Sequence, residues 1–165
     1  VKQIIISSFK RSKEKRKDVA SNPDTKSQTL QKLASDVEYG VRYNTVKNSN
    51  TLAQTLEKFA NDNDWGIRCG VAKNPNASSM LLERLGFDDD SRVNTCIAVH
   101  LNTSPKTLKR LARDNYYGVR ICVAKNANTP KATLLILAWD KERYVSRVAI
   151  AEIVQIAKRK LTGTR

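Results

Sequence analysis

Displaced by 26 residues, the chain aligns with itself without a gap. Asp36, Asp62, Asp88, Asp114 and Asp140 fall in one column, and Leu30, Leu56, Leu82, Leu108 and Leu134 in a second. Val41, Ile67, Val93, Val119 and Val145 form a third. Leu33, Phe59, Leu85, Leu111 and Leu137 keep the same beat, each followed by Ala34, Ala60, Gly86, Ala112 or Ala138. A fixed period of this kind marks stacked units, none of which can bury its apolar face alone. Within a unit the apolar positions recur at i, i+3 and i+4, as in Leu30, Leu33 and Ala34, which is a helical stripe. The expected fold class is all-α, an α-solenoid of short helix pairs with a 26-residue repeat.

Each unit reads as two helices. The first follows a turn such as "NPDT" or "NSNT". Thr25, Thr51, Thr103 and Thr129 are its expected N-caps, because a hydroxyl can accept from orphan N–H groups of the first turn. Thr25 with Gln28, and Thr51 with Gln54, have capping-box spacing. Pro130 is expected at the first helical position, and the helix at about ten residues. The aligned Asp is expected to cap the second helix. That helix is expected to end at Asn22, Asn48, Asn74, His100 or Asn126, since Asn tolerates a left-handed terminal residue.

The organisation expected is a single helical-repeat domain over 1–165. Residues 1–14 form a degenerate basic N-terminal cap, 15–140 the repeats and 141–165 a C-terminal capping helix with a polar outer face. Ile4 to Phe9 stand where a degenerate first helix belongs, and Arg16 to Ala20 where a second helix belongs.

Net charge is +14, and it is unevenly spread. Residues 1–17 carry +6 and residues 141–165 carry +5, leaving the long middle nearly balanced. Basic ends suit an anionic partner, though they also serve as plain solubilising termini. No apolar run reaches the roughly 18 residues of a membrane span, and the opening lacks a signal-peptide pattern. The expectation is a soluble protein of cytoplasmic localisation with no membrane partner. Cys69, Cys96 and Cys122 are widely spaced with no CxxC pair, so three free thiols and no zinc or redox motif are expected.

The unit "VRxxVAxNPxTxxxxLxxLAxD", clearest in "IRCGVAKNPN" (67–76) and "VRICVAKNANTP" (119–130), resembles the leucine-rich repeat variant family. The order Asp114, Val119, Arg120 also looks like HEAT repeats. The resemblance covers roughly residues 15–150 and implies a curved α-solenoid. The period is longer than is typical of the variant family. The cysteine cluster that holds an iron–sulfur centre in a known member is missing, so no cofactor is implied. Neither family has a single function, so the likeness says little about activity.

Candidate partner-binding residues come from the other columns. Arg42, Arg68 and Arg120, with Arg16, form a ladder that could grip phosphates or carboxylates. The competing reading is structural pairing, through Glu38–Arg42 and Asp64–Arg68 at i, i+4 or through the aligned Asp six residues earlier. Lys32, Lys58, Arg84 and Arg110 form a basic column on the first helix, which either lines a binding face or covers apolar surface. Lys47, Lys73 and Lys125 sit where they favour a helix dipole. Tyr39, Trp65 and Tyr117, each followed by Gly, could stack on single-stranded bases or pack over a neighbouring helix. His100 occupies the Asn column and reads as a cap variant.

A non-catalytic recognition scaffold for an anionic partner, nucleic acid or an acidic protein surface, follows as the expected function. No small-molecule substrate and no metal are implied, and oligomeric state is not legible. Two rivals stand beside it. One is a charge-indifferent protein–protein adaptor. The other is a HEAT-like DNA glycosylase using Asp62 or Asp114 near Trp65 or Tyr117. Those aspartates belong to a column present in every unit, and a catalytic residue should break a repeat rather than define it.

Overall fold

Helices of seven and nine residues alternate from residue 27 to residue 137, between two helices of twenty. The structure, a computed structural model, describes residues 2–162, with side chains from residue 12 onward. In chain order the helices are α1 (Lys2–Ser21), α2 (Ser27–Leu33), α3 (Tyr39–Lys47), α4 (Ala53–Phe59), α5 (Trp65–Lys73) and α6 (Ser79–Leu85). They continue with α7 (Ser91–Val99), α8 (Pro105–Leu111), α9 (Tyr117–Lys125), α10 (Lys131–Leu137) and α11 (Arg143–Thr162). The described residues contain no strand, so the protein is all-α there.

The chain divides into two compact units, Val1–Leu81 and Leu82–Arg165. In the first, α3 packs against α1 and α5, while α2 and α4 pack beside α3 and α5. In the second, α9 packs against α7 and α11, with α8 and α10 alongside. The aligned apolar columns are the cores. Leu30, Val41, Leu56 and Ile67 are buried in the first unit, and Leu82, Val93, Leu108, Val119, Leu134 and Val145 in the second. Each contributes roughly 1.5–3 kcal/mol on full burial.

Three expectations about helix ends are corrected. The threonines are not N-caps: Lys26 and Leu52 hold that position on α2 and α4 without side-chain bonds, and Pro130 is itself the N-cap of α10. Each hydroxyl instead donates to the carbonyl six residues back, Thr51 to Thr45 at 2.5 Å and Thr103 to Ile97 at 2.6 Å. Thr25 and Thr129 do the same to Val19 and Val123. A buried carbonyl at a helix C-terminus costs more when unpaired than an N–H that water can reach, so the hydroxyl serves it first.

The aligned Asp precedes the second helix rather than capping it. Its Oδ1 accepts from the N–H two residues on, Asp36 from Glu38 and Asp62 from Asp64, and those following residues are the N-caps. Asp64 and Asp90 then accept from Gly66 and Arg92. The Asn column does not turn left-handed either, since Asn48 and Asn74 are extended at φ −67° and −74°. Their amides reach back one period instead. Asn48 Nδ2 donates to the Ala20 and Asn22 carbonyls at 3.0 and 2.9 Å, and Asn74 Nδ2 to those of Val46 and Asn48 at 2.7 and 3.1 Å. His100 keeps the local half of this role, its Nδ1 accepting from Asn102 N–H at 2.9 Å.

The arginine column serves a different carbonyl, that of the aligned Asp ahead of the second helix. Arg42 Nη1 donates to the Asp36 carbonyl at 3.1 Å, and its Nε and Nη2 clasp the Asp62 carboxylate at 2.7 and 3.3 Å. Arg16 holds Asp36 and Arg120 holds Asp140 in the same way. These pairs therefore join successive 26-residue units, twenty residues apart, rather than lying at i, i+4. At the Asn94 position the short amide donates to the Asp88 carbonyl and the Asp114 carboxylate at 2.9 and 3.1 Å, and its own Oδ1 stays buried without a partner.

At the chain's start α1 runs unbroken from Lys2 to Ser21, correcting the expected pair of helices there; the side chains of Ile4 to Phe9 lie outside the described residues. At its end α11 is the single long helix expected, but its outward positions include exposed Ile150, Val154 and Leu161, so that face is not polar. The cysteines also differ from expectation. Cys69 and Cys96 are each disulfide-bonded, and only Cys122 is free. A disulfide depends on closeness in space, which sequence spacing does not report.

Two outcomes test the Asp–Arg clasp. Asp62→Ala, which strips Arg42 and the Asp64 N–H of their acceptor, should cost about 1–3 kcal/mol in urea denaturation. Lys58→Ala on the exposed face of α4 should stay within about 0.5 kcal/mol. The second concerns pH. The Arg120 guanidinium beside Asp140 holds its carboxyl below the ordinary carboxylate value. For Asp36 burial pushes the other way, but Arg16 and the Glu38 N–H outweigh it. The unfolded carboxyl titrates near about 3.9, so this stabilisation is complete above that value and is lost as pH falls through the lower folded value. The melting temperature followed by circular dichroism should fall from about pH 4 downward, less steeply in Asp140→Asn.

Candidate functional site

The 26-residue offset places Tyr39, Tyr43 and Lys47 of α3 opposite Trp65, Cys69 and Lys73 of α5. Spacings of four and eight residues put each trio on one helical face. Between the two stripes lies an open groove of about 470 Å³ within the first unit. Gly66, Gly70 and Asn74 complete its lining, and no carboxylate takes part in it.

The groove exists because α5 carries two glycines on this face. A Cβ at Gly70 would stand 2.5 Å from Val46 Cγ1, and one at Gly66 would stand 2.9 Å from the Tyr39 hydroxyl. Without those Cβ atoms α5 approaches α3 closely and the floor of the groove is backbone. At one end the Tyr39 and Tyr43 rings stack with centroids 5.6 Å apart and planes inclined by 23°. Lys47 Nζ lies 5.1 Å from the centre of the Tyr43 ring, an arrangement that favours the cation. Tyr39 and Trp65 are 45% and 40% exposed, so each residue is partly open to solvent. Burial, with the carboxylate of Asp64 nearby, pushes the Tyr39 phenol up, which keeps it neutral. Asn74 is already committed, its Nδ2 to two carbonyls and its Oδ1 to the Asn76 N–H at 2.9 Å. Cys69 is disulfide-bonded and offers no thiolate.

The structure sorts the candidate residues. Tyr39 and Trp65 come together in the groove, and Tyr117 lies on α9 of the second unit, tilted against Tyr116 at 5.2 Å. Arg42 and Arg120 direct their guanidinium groups to the aspartates and carbonyls described above, and Arg120 is only 5% exposed. Arg68 donates to the Asp62 and Asn63 carbonyls at 2.9 and 3.1 Å. Lys32, Lys58 and Arg84 are exposed on α2, α4 and α6. Arg110 instead folds inward, its Nη1 bonded to the Gly86 carbonyl and its guanidinium 3.9 Å above the Phe87 ring. Desolvation by burial lowers its pKa, and its Nη2 is buried without a partner.

Tyr43 belongs to no column, because its equivalents Cys69, Thr95 and Ile121 share no chemistry with it. The i, i+4, i+8 run Tyr39, Tyr43, Lys47 was the signal that would have found it. In the sequence, the helix dipole alone accounts for Lys47 and Lys73. Among the described residues no group of three or more His, Cys, Asp or Glu is placed to hold a metal ion. No described helix is long and apolar enough to cross a membrane.

Comparisons with known protein families, with curated proteins and with solved structures return no match. The groove therefore has to be read from its own chemistry.

Gly70→Ala should destabilise the protein by about 1–3 kcal/mol in urea denaturation, because buried Val46 cannot yield without shifting α3. Gly66→Ala should cost about 0.5–2 kcal/mol, since the Tyr39 hydroxyl end can swing aside while Asp64 Oδ1, equally near, would give up its cap bond to the Gly66 N–H.

Proposed function

We propose that the chain is a non-catalytic recognition scaffold, an α-solenoid on the 26-residue period resembling leucine-rich repeat variant and HEAT-like arrays, that binds an anionic partner. The observation that carries this reading is the groove between α3 and α5: open aromatic rings at one end, Lys47 and Lys73 at the other, and no acidic residue in its lining. A net charge of +14 adds long-range attraction for nucleic acid or an acidic protein surface. The recurrence of the Asp–Arg clasp and the Asn bonds inside each unit supports the repeating architecture.

A non-catalytic role fits the state of the aspartates a glycosylase would need. Asp62 is clasped by Arg42, and Asp114 accepts from Asn94 and the Tyr116 N–H at 3.1 and 2.8 Å. The adaptor reading draws on exposed apolar residues: Met80, Phe87, Leu101 and Trp139 are each at least 70% exposed. A cytoplasmic setting agrees poorly with disulfide-bonded Cys69 and Cys96, since reducing compartments keep thiols reduced.

The test is binding of polyuridylate and polyglutamate by fluorescence anisotropy at low and moderate salt. Affinity for at least one should fall steeply as salt rises. Absence of binding to both at low salt would overturn the anionic reading, and salt-insensitive capture of a protein after nuclease treatment would favour the adaptor.

A further inference from the structure

We infer that the groove between α3 and α5 holds a short stretch of single-stranded nucleic acid, its bases on the aromatic rings and its phosphates on Lys47 and Lys73. This rests on the anionic-partner reading and specifies the ligand class and the residues.

Three features of the groove lead there. The first is its division. Tyr39 and Trp65 open α3 and α5, Tyr43 stands midway along α3, and Lys47 and Lys73 close both helices, Lys47 with its Nζ over the Tyr43 ring. At 1.5 Å per residue the stripe is about 12 Å long, which brings ring faces and charges within one ligand's reach. An unstacked base presents a flat π-face, and its phosphate carries the negative charge; a single strand offers both together. Duplex DNA or RNA keeps its bases stacked inside and would leave the rings unused.

The second feature is the glycine floor. A Cβ at Gly70 would meet buried Val46 and one at Gly66 would meet Tyr39 and Asp64, so the glycines let α5 lie close against α3 beneath the stripes. The slot above them has Trp65 on one side and the Tyr39–Tyr43 stack on the other.

The third is the lack of an uncommitted amide or a guanidinium in the lining. Asn74, the one amide in the lining, spends its donors and acceptor on backbone groups. Lysine is a flexible point charge without the planar fork that arginine brings to a base edge. Recognition is therefore by stacking and charge, tolerant of sequence. An acidic peptide would engage the lysines but has no flat face for the rings.

The experiment uses the Trp139→Phe chain, in which Trp65 is the remaining tryptophan of two. Oligouridylate and oligothymidylate of about a dozen nucleotides, a duplex of equal length and polyglutamate are titrated while Trp65 fluorescence is followed. The single strands should quench Trp65 and bind more tightly than the duplex or polyglutamate. Preference for oligouridylate assigns RNA, and preference for oligothymidylate assigns DNA. Tyr43→Ala should weaken binding roughly 5- to 150-fold. The exposed pair Lys47→Gln/Lys73→Gln, which leaves the core untouched, should reduce the salt slope by about 1.4, the share of two phosphates. Circular dichroism melts confirm that each variant is folded. Strand binding without Trp65 quenching, with both variants silent, overturns the groove assignment while leaving the anionic-partner reading intact. Preference for duplex or polyglutamate overturns it equally. Failure of every polyanion to bind at low salt removes both.

Discussion

A helix of seven residues has four N–H groups at one end and four carbonyls at the other without intrahelical partners, so nearly all of its backbone is helix end. A chain made of such helices is governed by where those groups find their bonds. Here carbonyls at the helix ends and in the turns between helices are served by side chains of a few types at fixed places. Threonine hydroxyls reach the carbonyl six residues back, asparagine amides bridge to carbonyls one period earlier, and arginine Nη1 covers the carbonyl of the aligned Asp. Asn50 and Asn76 add a parallel set, donating to Pro23 and Ser49 at 2.5 and 2.7 Å. The polar columns in the sequence are this accounting made visible.

The aspartates complete it by joining two tasks. Oδ1 ends a turn by accepting from the N–H two residues ahead, while the carboxylate holds the arginine of the preceding unit. One side chain thus shapes a local entry into a helix and fixes the neighbouring layer. Where Asn94 replaces the arginine, the carbonyl and Asp114 are still met, but a buried Oδ1 is left over. Unpaired buried acceptors carry a desolvation cost, which makes this the least satisfied joint in the second unit.

With the repeated arginine and aspartate positions occupied by the scaffold, the groove is left to the aromatic and lysine columns and to Tyr43. Arg42 and Arg120 are absorbed by the clasp and Arg110 by the Phe87 ring. The groove draws on Tyr43, a residue without an equivalent in its column, and on exposed Lys47 and Lys73, of which Lys47 lies over the Tyr43 ring.

Periodicity alone marked the helical class and the apolar columns, because apolar side chains recurring at i, i+3 and i+4 share one helical face. It also marked Tyr39 and Trp65. It could not decide which groups each polar column serves. Thr51 is as plausible an N-cap as a donor to Thr45, and Asp62 as plausible a cap as a clasp for Arg42; the choice depends on which carbonyls are buried, a property of packed helices. Nor could it reveal the bonded state of Cys69 and Cys96 or the slot beside Gly66 and Gly70, since both depend on distances across helices that only the tertiary structure sets.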